Sequence, residues 1–206
     1  MKIHIKPTMD CNIACYYCNE KRNKEQMSPD TVENIVLKIA QAVRLKAQHR
    51  IEFEWSGGEP LIMGVLFFRK VFQLQRKAIP AKVYNTVYSN LLLLDEEMAD
   101  LLAEEAAVVY TSLDDLSENS FRRGSNGRYF DTFDSRLSLL IKRQLRVKLY
   151  MTVTQQNVSI INNVYLYAKS RAVDFDFSNV QHPYIEPQRR LSILAPSISE
   201  FQQEVI

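Results

Sequence analysis

Beyond residue 18 the chain contains no cysteine, and that shortage is the first thing to explain. Its 206 residues include three cysteines, Cys11, Cys15 and Cys18, all inside "DCNIACYYC" (10–18). An odd number rules out complete pairing into disulfides, and three thiolates alone cannot close a four-ligand zinc site. Excess charge is also missing: 26 basic against 24 acidic residues gives +2. That balance offers no reason to expect nucleic acid or an anionic membrane as the main partner. The opening "MKIHIKPTMD" has no apolar signal segment. "NLLLLDEE" and "VLFF" fall far short of the roughly 20 apolar residues that cross a bilayer. No Gly/Ser linker, low-complexity tract or repeated motif divides the chain. At 46% hydrophobic content it can bury one sizeable core, with at most a small appendage. With clustered thiols and no export signal, the expectation is a soluble protein of the reducing cytoplasm.

What is present alternates. Strand-like segments at 2–6, 50–56, 82–89, 107–114, 146–154 and 173–180 are separated by helix-like segments at 28–47, 63–78, 95–105, 129–144 and 158–170. The first helix opens with a capping Ser28 and Pro29, and carries Val32, Ile35, Val36, Ile39 and Val43 at helical spacing. The tail "SISEFQQEVI" reads as the start of one more helix. Six strand–helix units of this kind predict parallel strands joined by right-handed crossovers. Several strands are polar on one face: Glu52/Glu54, Lys148/Tyr150/Thr152 and Asp174/Asp176/Ser178. A sheet buried on both faces would read as nearly continuous apolar strands. The predicted fold is therefore α/β, an open partial (β/α)6 barrel with helices outside; a doubly wound sheet is the alternative. In such a barrel the functional residues belong at the carboxyl ends of the strands. There the sequence places the cysteine loop, "SGGEP", "SN", "SLDD", "TQQN" and "NVQHP".

Three thiolates at CxxxCxxC spacing can hold three irons of a [4Fe–4S] cluster, leaving one iron open to another ligand. Zinc would need a fourth ligand, and none of His4, His49 and His182 lies at finger-like spacing from Cys18. Unrelated buried thiols are the third reading.

"CNIACYYC" followed by "WSGGEPLI" resembles the radical S-adenosylmethionine (SAM) superfamily. "VYSN", "TSLDD", "RRGSNGRYFDTF" and "TVTQQN" continue the resemblance to about residue 180, most like the anaerobic sulfatase maturase and peptide-modifying (SPASM-type) branch. The resemblance implies that Cys11, Cys15 and Cys18 bind a [4Fe–4S] cluster and that Tyr17 gives backbone contact and stacking for adenine. It further implies that Gly57 and Gly58 let the backbone approach the methionine part of SAM while Glu59 accepts from its ammonium group. Asn90 lies near the cofactor, Ser112 faces its carboxylate or ribose, and Arg123 pairs with the carboxylate, with Arg122 as competitor. Leu91 stands where the family's turn has glycine, which implies a turn built differently. Asn157 reads as a helix cap, and His182 and the polar strand faces as substrate contacts or structural residues. The implied activity is reductive cleavage of SAM to a 5′-deoxyadenosyl radical that abstracts hydrogen from a peptide or protein substrate. An external electron donor of flavodoxin or ferredoxin type would feed it. A compact radical SAM enzyme, such as a glycyl-radical activase or deazapurine-forming synthase, and a degenerate binding domain are the alternatives. The expected organisation is a core domain at 1–180 and a C-terminal segment at 181–206 that is truncated before the branch's cysteine-rich domain. A partner chain would then cover the open side of the barrel.

Overall fold

A computed structural model describes residues 1–18, 20–47, 49–117, 122–123 and 129–180. Six strands form one sheet: β1 (Lys2–Thr8), β2 (Arg50–Gly57), β3 (Lys82–Tyr88), β4 (Ala106–Ser112), β5 (Val147–Val153) and β6 (Asp174–Asn179). They pair in sequence order, every pair parallel. Five helices make the crossovers: α1 (Pro29–Leu45), α2 (Gly64–Ala78), α3 (Glu96–Glu105), α4 (Tyr129–Lys142) and α5 (Ile161–Ser170). Among the described residues β1 and β6 are edges that do not meet, so the barrel is open, as the strand count predicted. The expected tail helix and His182 lie outside the described residues.

The alternation of side chains along each strand separates two environments. One face carries Ile51, Phe53, Trp55, Val87, Val109, Leu149 and Met151, all buried, and the helices cover it. Ser28 caps α1 by accepting from the Thr31 backbone N–H at 3.1 Å, and the helix turns Val32, Val36, Ile39 and Val43 into that core. Trp55 packs edge-on against Phe68 at 5.7 Å and Phe72 at 6.4 Å from α2. Its indole N–H donates to Asn85 Oδ1 at 2.8 Å, and Gln75 and Asn85 exchange amide hydrogen bonds beside it. This buried trio is mutually satisfied, which removes the cost of placing amides in an apolar layer.

The other face is the polar one that the strand sequences announced. Pairing registers set Glu54 beside His4 and Thr86, Tyr88 beside Tyr110, Tyr110 beside Lys148, and Tyr150 beside Asp176. Glu54 is paired with Lys2 at 2.6 Å and with His4, and accepts from the Tyr88 hydroxyl at 3.4 Å. The Tyr88 and Tyr110 rings stack at 4.8 Å, the Lys148 ammonium lies 5.7 Å from the centre of the Tyr110 ring, and Lys148 pairs with Asp176 at 2.8 Å. All six strands thus contribute to one belt of alternating charge and aromatic surface inside the barrel.

Candidate active site

Above this belt, at the carboxyl ends of the strands, lies a cavity of about 500 Å³. That volume falls within the roughly 300–1,000 Å³ of small-molecule sites. Its wall includes Cys11, Cys15 and Cys18 from the loop after β1, Gly57 at the end of β2 with Gly58 and Glu59 after it, Asn90 after β3 and Ser112 of β4. Eight of the ten site residues chosen from sequence are therefore brought to one space, though they span more than 100 positions of the chain.

None of the three cysteines is in a disulfide, and each is partly exposed. Burial pushes the Cys11 thiol above its ordinary pKa, so a metal bound there must displace a proton. Among the described residues no three His, Cys, Asp or Glu side chains gather around the point a single ion would occupy. An iron–sulfur cluster is wider than one ion and spreads its thiolates farther apart. Three thiols from one loop, facing one cavity, fit such a cluster as a donor set.

The glycines have an internal reason to be glycine. A Cβ on Gly57 would stand 2.3 Å from the Thr8 carbonyl oxygen, and one on Gly58 would stand 2.0 Å from that of Asp10. Gly57 also has φ +121°, which side-chain-bearing residues rarely adopt. Both positions bring the end of β2 against the segment leading into Cys11. There the Gly58 N–H donates to the Thr8 carbonyl at 3.1 Å and the Glu59 N–H to that of Asp10 at 2.7 Å.

Glu59 is 1% exposed, and protein donors surround its carboxylate. Oε1 accepts from the Leu61 N–H at 3.0 Å and the Ser89 hydroxyl at 2.9 Å, and Oε2 from the Asn90 N–H at 2.7 Å. The carboxylate that the resemblance sets at the SAM ammonium also clamps the β2 and β3 ends together.

Asn90 donates through Nδ2 to Asn12 Oδ1 at 2.8 Å, with Cys11 Sγ at 3.9 Å, and its Oδ1 accepts from the Leu92 N–H at 3.0 Å. The next residue corrects an expectation. Leu91 has φ +64°, the left-handed conformation for which glycine is suited, so the turn keeps a glycine-like backbone despite its leucine. Complete burial of the side chain offsets the strain, and the Leu91 N–H donates to Ser89 Oγ at 3.0 Å.

Tyr17 has protein partners of its own, and Asn157 differs from expectation. The Tyr17 hydroxyl is hydrogen-bonded to the Asp114 carboxylate, and its ring packs against Val180. Asn157 sits where a short helical turn begins but makes no capping bond. Its side chain instead accepts from the Thr154 N–H at 2.7 Å and donates to the carbonyls of Asp114 at 3.2 Å and Thr152 at 3.0 Å. It fastens the β4 end to the β5 end. For Arg122 and Arg123 the backbone is described: Ala14–Cys15 pairs antiparallel with Arg122–Arg123, setting Cys15 opposite Arg122 and Ala14 opposite Arg123.

Tyr150 and Asp176, from the polar strand faces, and Ser89 of the "SN" strand end also line the cavity; sequence reasoning missed Tyr88, Tyr110, Glu20 and Arg22 there. A signal existed for two of them: Tyr88 and Tyr110 fall on the inward side of the strand alternation, in the carboxyl-terminal half of their strands.

An open parallel barrel with three clustered cysteines and a Gly-Gly-Glu turn around one cavity defines a class as well as a fold. Residues 5–165 match the Radical SAM superfamily, and the chain belongs to it. The "Cysteine-type anaerobic sulfatase-maturating enzyme" of Clostridium perfringens is 30% identical over 203 residues, covering 90% of this chain and 53% of that one. A serine-type maturating enzyme of Bacteroides thetaiotaomicron is 29% identical over 129 residues, 57% of this chain and 30% of that one. The solved structure of native anSMEcpe with bound AdoMet and the Cp18Cys peptide superposes with TM-score 0.79 at 29% identity, over 88% of this chain and 51% of that one. Streptococcus suis SuiB bound to its precursor peptide SuiA shares the fold, with TM-score 0.66 at 15% identity, over 92% of this chain and 42% of that one. The chain thus spans about half the length of the curated maturating enzyme it matches over 53%. No described helix is long and apolar enough to cross a membrane.

Proposed function

We propose that this chain is the catalytic core of a radical SAM enzyme acting on a peptide or protein. The observation that carries the reading is the shared cavity: the three thiols and the Gly57–Gly58 turn face the same space. Cys11, Cys15 and Cys18 hold a [4Fe–4S] cluster, which supplies the electron that cleaves SAM to methionine and a 5′-deoxyadenosyl radical. SAM lies against Gly57, Gly58, Asn90 and Ser112, with Arg123 or Arg122 near its carboxylate. The backbone of the Gly57–Glu59 turn is held in place by the buried Glu59 carboxylate, so it binds without reorganising. Tyr88, Tyr110, Tyr150 and Asp176 also line the cavity and are proposed to face the substrate. The apolar and aromatic parts of that lining keep bulk water from the reacting carbon.

Peptide substrates are proposed because native anSMEcpe holds the Cp18Cys peptide and SuiB holds SuiA. An external flavodoxin- or ferredoxin-type donor provides the electron, and the protein works in the cytoplasm. Residues 1–180 form the core domain, and a further region or partner chain covers the side between β1 and β6. Anaerobic reconstitution with iron and sulfide, followed by reduction in the presence of SAM, tests the core of the proposal. About four irons per chain and release of 5′-deoxyadenosine are expected. Stoichiometric zinc without 5′-deoxyadenosine would overturn it.

A further inference from the structure

The helical layer outside the barrel carries an apolar groove between α1 and α2. It encloses about 360 Å³, and its walls include Met27, Val32, Phe67, Val71 and Leu74. Single exposed leucines are ordinary on a protein surface. Leu66 is different, because it borders this groove and keeps 74% of its surface in solvent. A hole and a knob therefore lie side by side on one patch. The charges of the patch are opposed as well. Glu33 from α1 and Lys70 from α2 both line the groove, both are exposed, and neither forms an ion pair among the described residues. Other cations of α2 are engaged, Arg69 by Glu97 at 2.9 Å and Arg76 by Glu105. Leu66 and Lys70 are four positions apart and so share one face of α2. Hole, knob, acid and base together make a surface complementary to itself, which is what a two-fold axis requires.

We propose that this groove is the contact between two copies of the chain, with Leu66 of each copy entering the groove of the other and Lys70 of each meeting Glu33 of the other. An acidic partner of another kind would set like charge against Glu33, and a basic one against Lys70; a second copy satisfies both. The contact also reaches the candidate active site. Gln26 and Met27 in the groove wall follow the cysteine loop and are held to β1, Gln26 by its bridge to Thr8 and Met27 by donating its N–H to the Pro7 carbonyl at 2.7 Å. Met63, in the same wall, ends the Pro60–Met63 turn that follows Glu59. A copy seated in the groove thus packs on both segments that frame the cavity.

The inference needs neither cluster nor SAM, so its failure leaves the radical SAM reading standing. Sedimentation equilibrium of the full chain under a thiol reductant, over about 1–200 μM, should show a reversible dimer. Leu66→Glu should raise the dimer dissociation constant about 30-fold or more, as loss of a central anchor does. Glu33→Lys and Lys70→Glu should each raise it about tenfold, because each sets like charges together across the axis. Combined in one chain, Glu33→Lys/Lys70→Glu should recover most of the lost affinity, since both pairs form again with their signs exchanged. The three side chains are exposed, so circular dichroism should match the parent in every variant. A parent that stays monomeric throughout the range would overturn the proposal. So would a dimer that Leu66→Glu leaves as tight as before, or a double variant no tighter than either single one.

Discussion

Glu54 and Glu59 are almost wholly buried carboxylates, 3% and 1% exposed, five positions apart. Inside the barrel, Glu54 is met by side chains: the Lys2 ammonium, the His4 imidazole and the Tyr88 hydroxyl. At the mouth, Glu59 is met chiefly by backbone, through the N–H groups of Leu61 and Asn90, with the Ser89 hydroxyl added. Lys2 and His4 keep more than half of their side chains in solvent, so that network can rearrange and admit water. The Glu59 network has no such freedom, because backbone donors move only if the strand ends move. A site that must present backbone to a cofactor is better built the second way.

The comparison is most directly broken at the mouth, with the thiols. Cys11→Ala, Cys15→Ala or Cys18→Ala should abolish cluster absorption and 5′-deoxyadenosine formation while the fold, read by circular dichroism, persists. No other cysteine exists to substitute. Glu59→Ala should cost about 4 kcal/mol in urea unfolding, since three donors, all nearly buried, lose their acceptor. A loss under 1 kcal/mol would show the clamp to be dispensable. Leu91→Gly sharpens the same point: relief of left-handed strain recovers about 1 kcal/mol, and loss of a fully buried side chain costs more. A net loss of about 2 kcal/mol is expected. Net stabilisation would mean that backbone strain dominates there.

Inside the barrel the effects should shrink. Glu54→Gln should cost only about 1 kcal/mol, because the amide keeps an acceptor and the largely exposed Lys2 and His4 side chains return to water. The smallest effect concerns pH. The hydrogen bond from Lys148 holds the Asp176 carboxyl below its ordinary value. Its stabilisation is therefore present above the unfolded pKa near 4 and is lost as pH falls through the lower folded value. The Asp176 side chain is 51% exposed, so solvent screening limits the contribution to a few tenths of a kcal/mol. Lys148→Met should flatten the acid limb of stability against pH by that amount, read by urea titrations between about pH 5 and pH 3.

Much of this was legible beforehand because it is local. Ser28 and Pro29 begin a helix wherever they precede an apolar stripe, and strand alternation distinguishes a polar barrel interior from a core. The carboxyl ends of parallel strands gather on one side, so the cysteine loop, the Gly-Gly-Glu turn, Asn90 and Ser112 could be assigned to one site without knowing any distance. Spacing and residue type sufficed for them. Which atoms of those residues are spoken for was not legible. Only the tertiary structure decided that Glu59 grips the Asn90 backbone, that Tyr17 reaches Asp114, that Asn157 laces two strand ends rather than capping a helix, and that Leu91 takes a glycine's conformation. These outcomes depend on partners 30 to nearly 100 positions away in the chain. Residue type fixes what a side chain can bond, and folding alone fixes what stands within its reach.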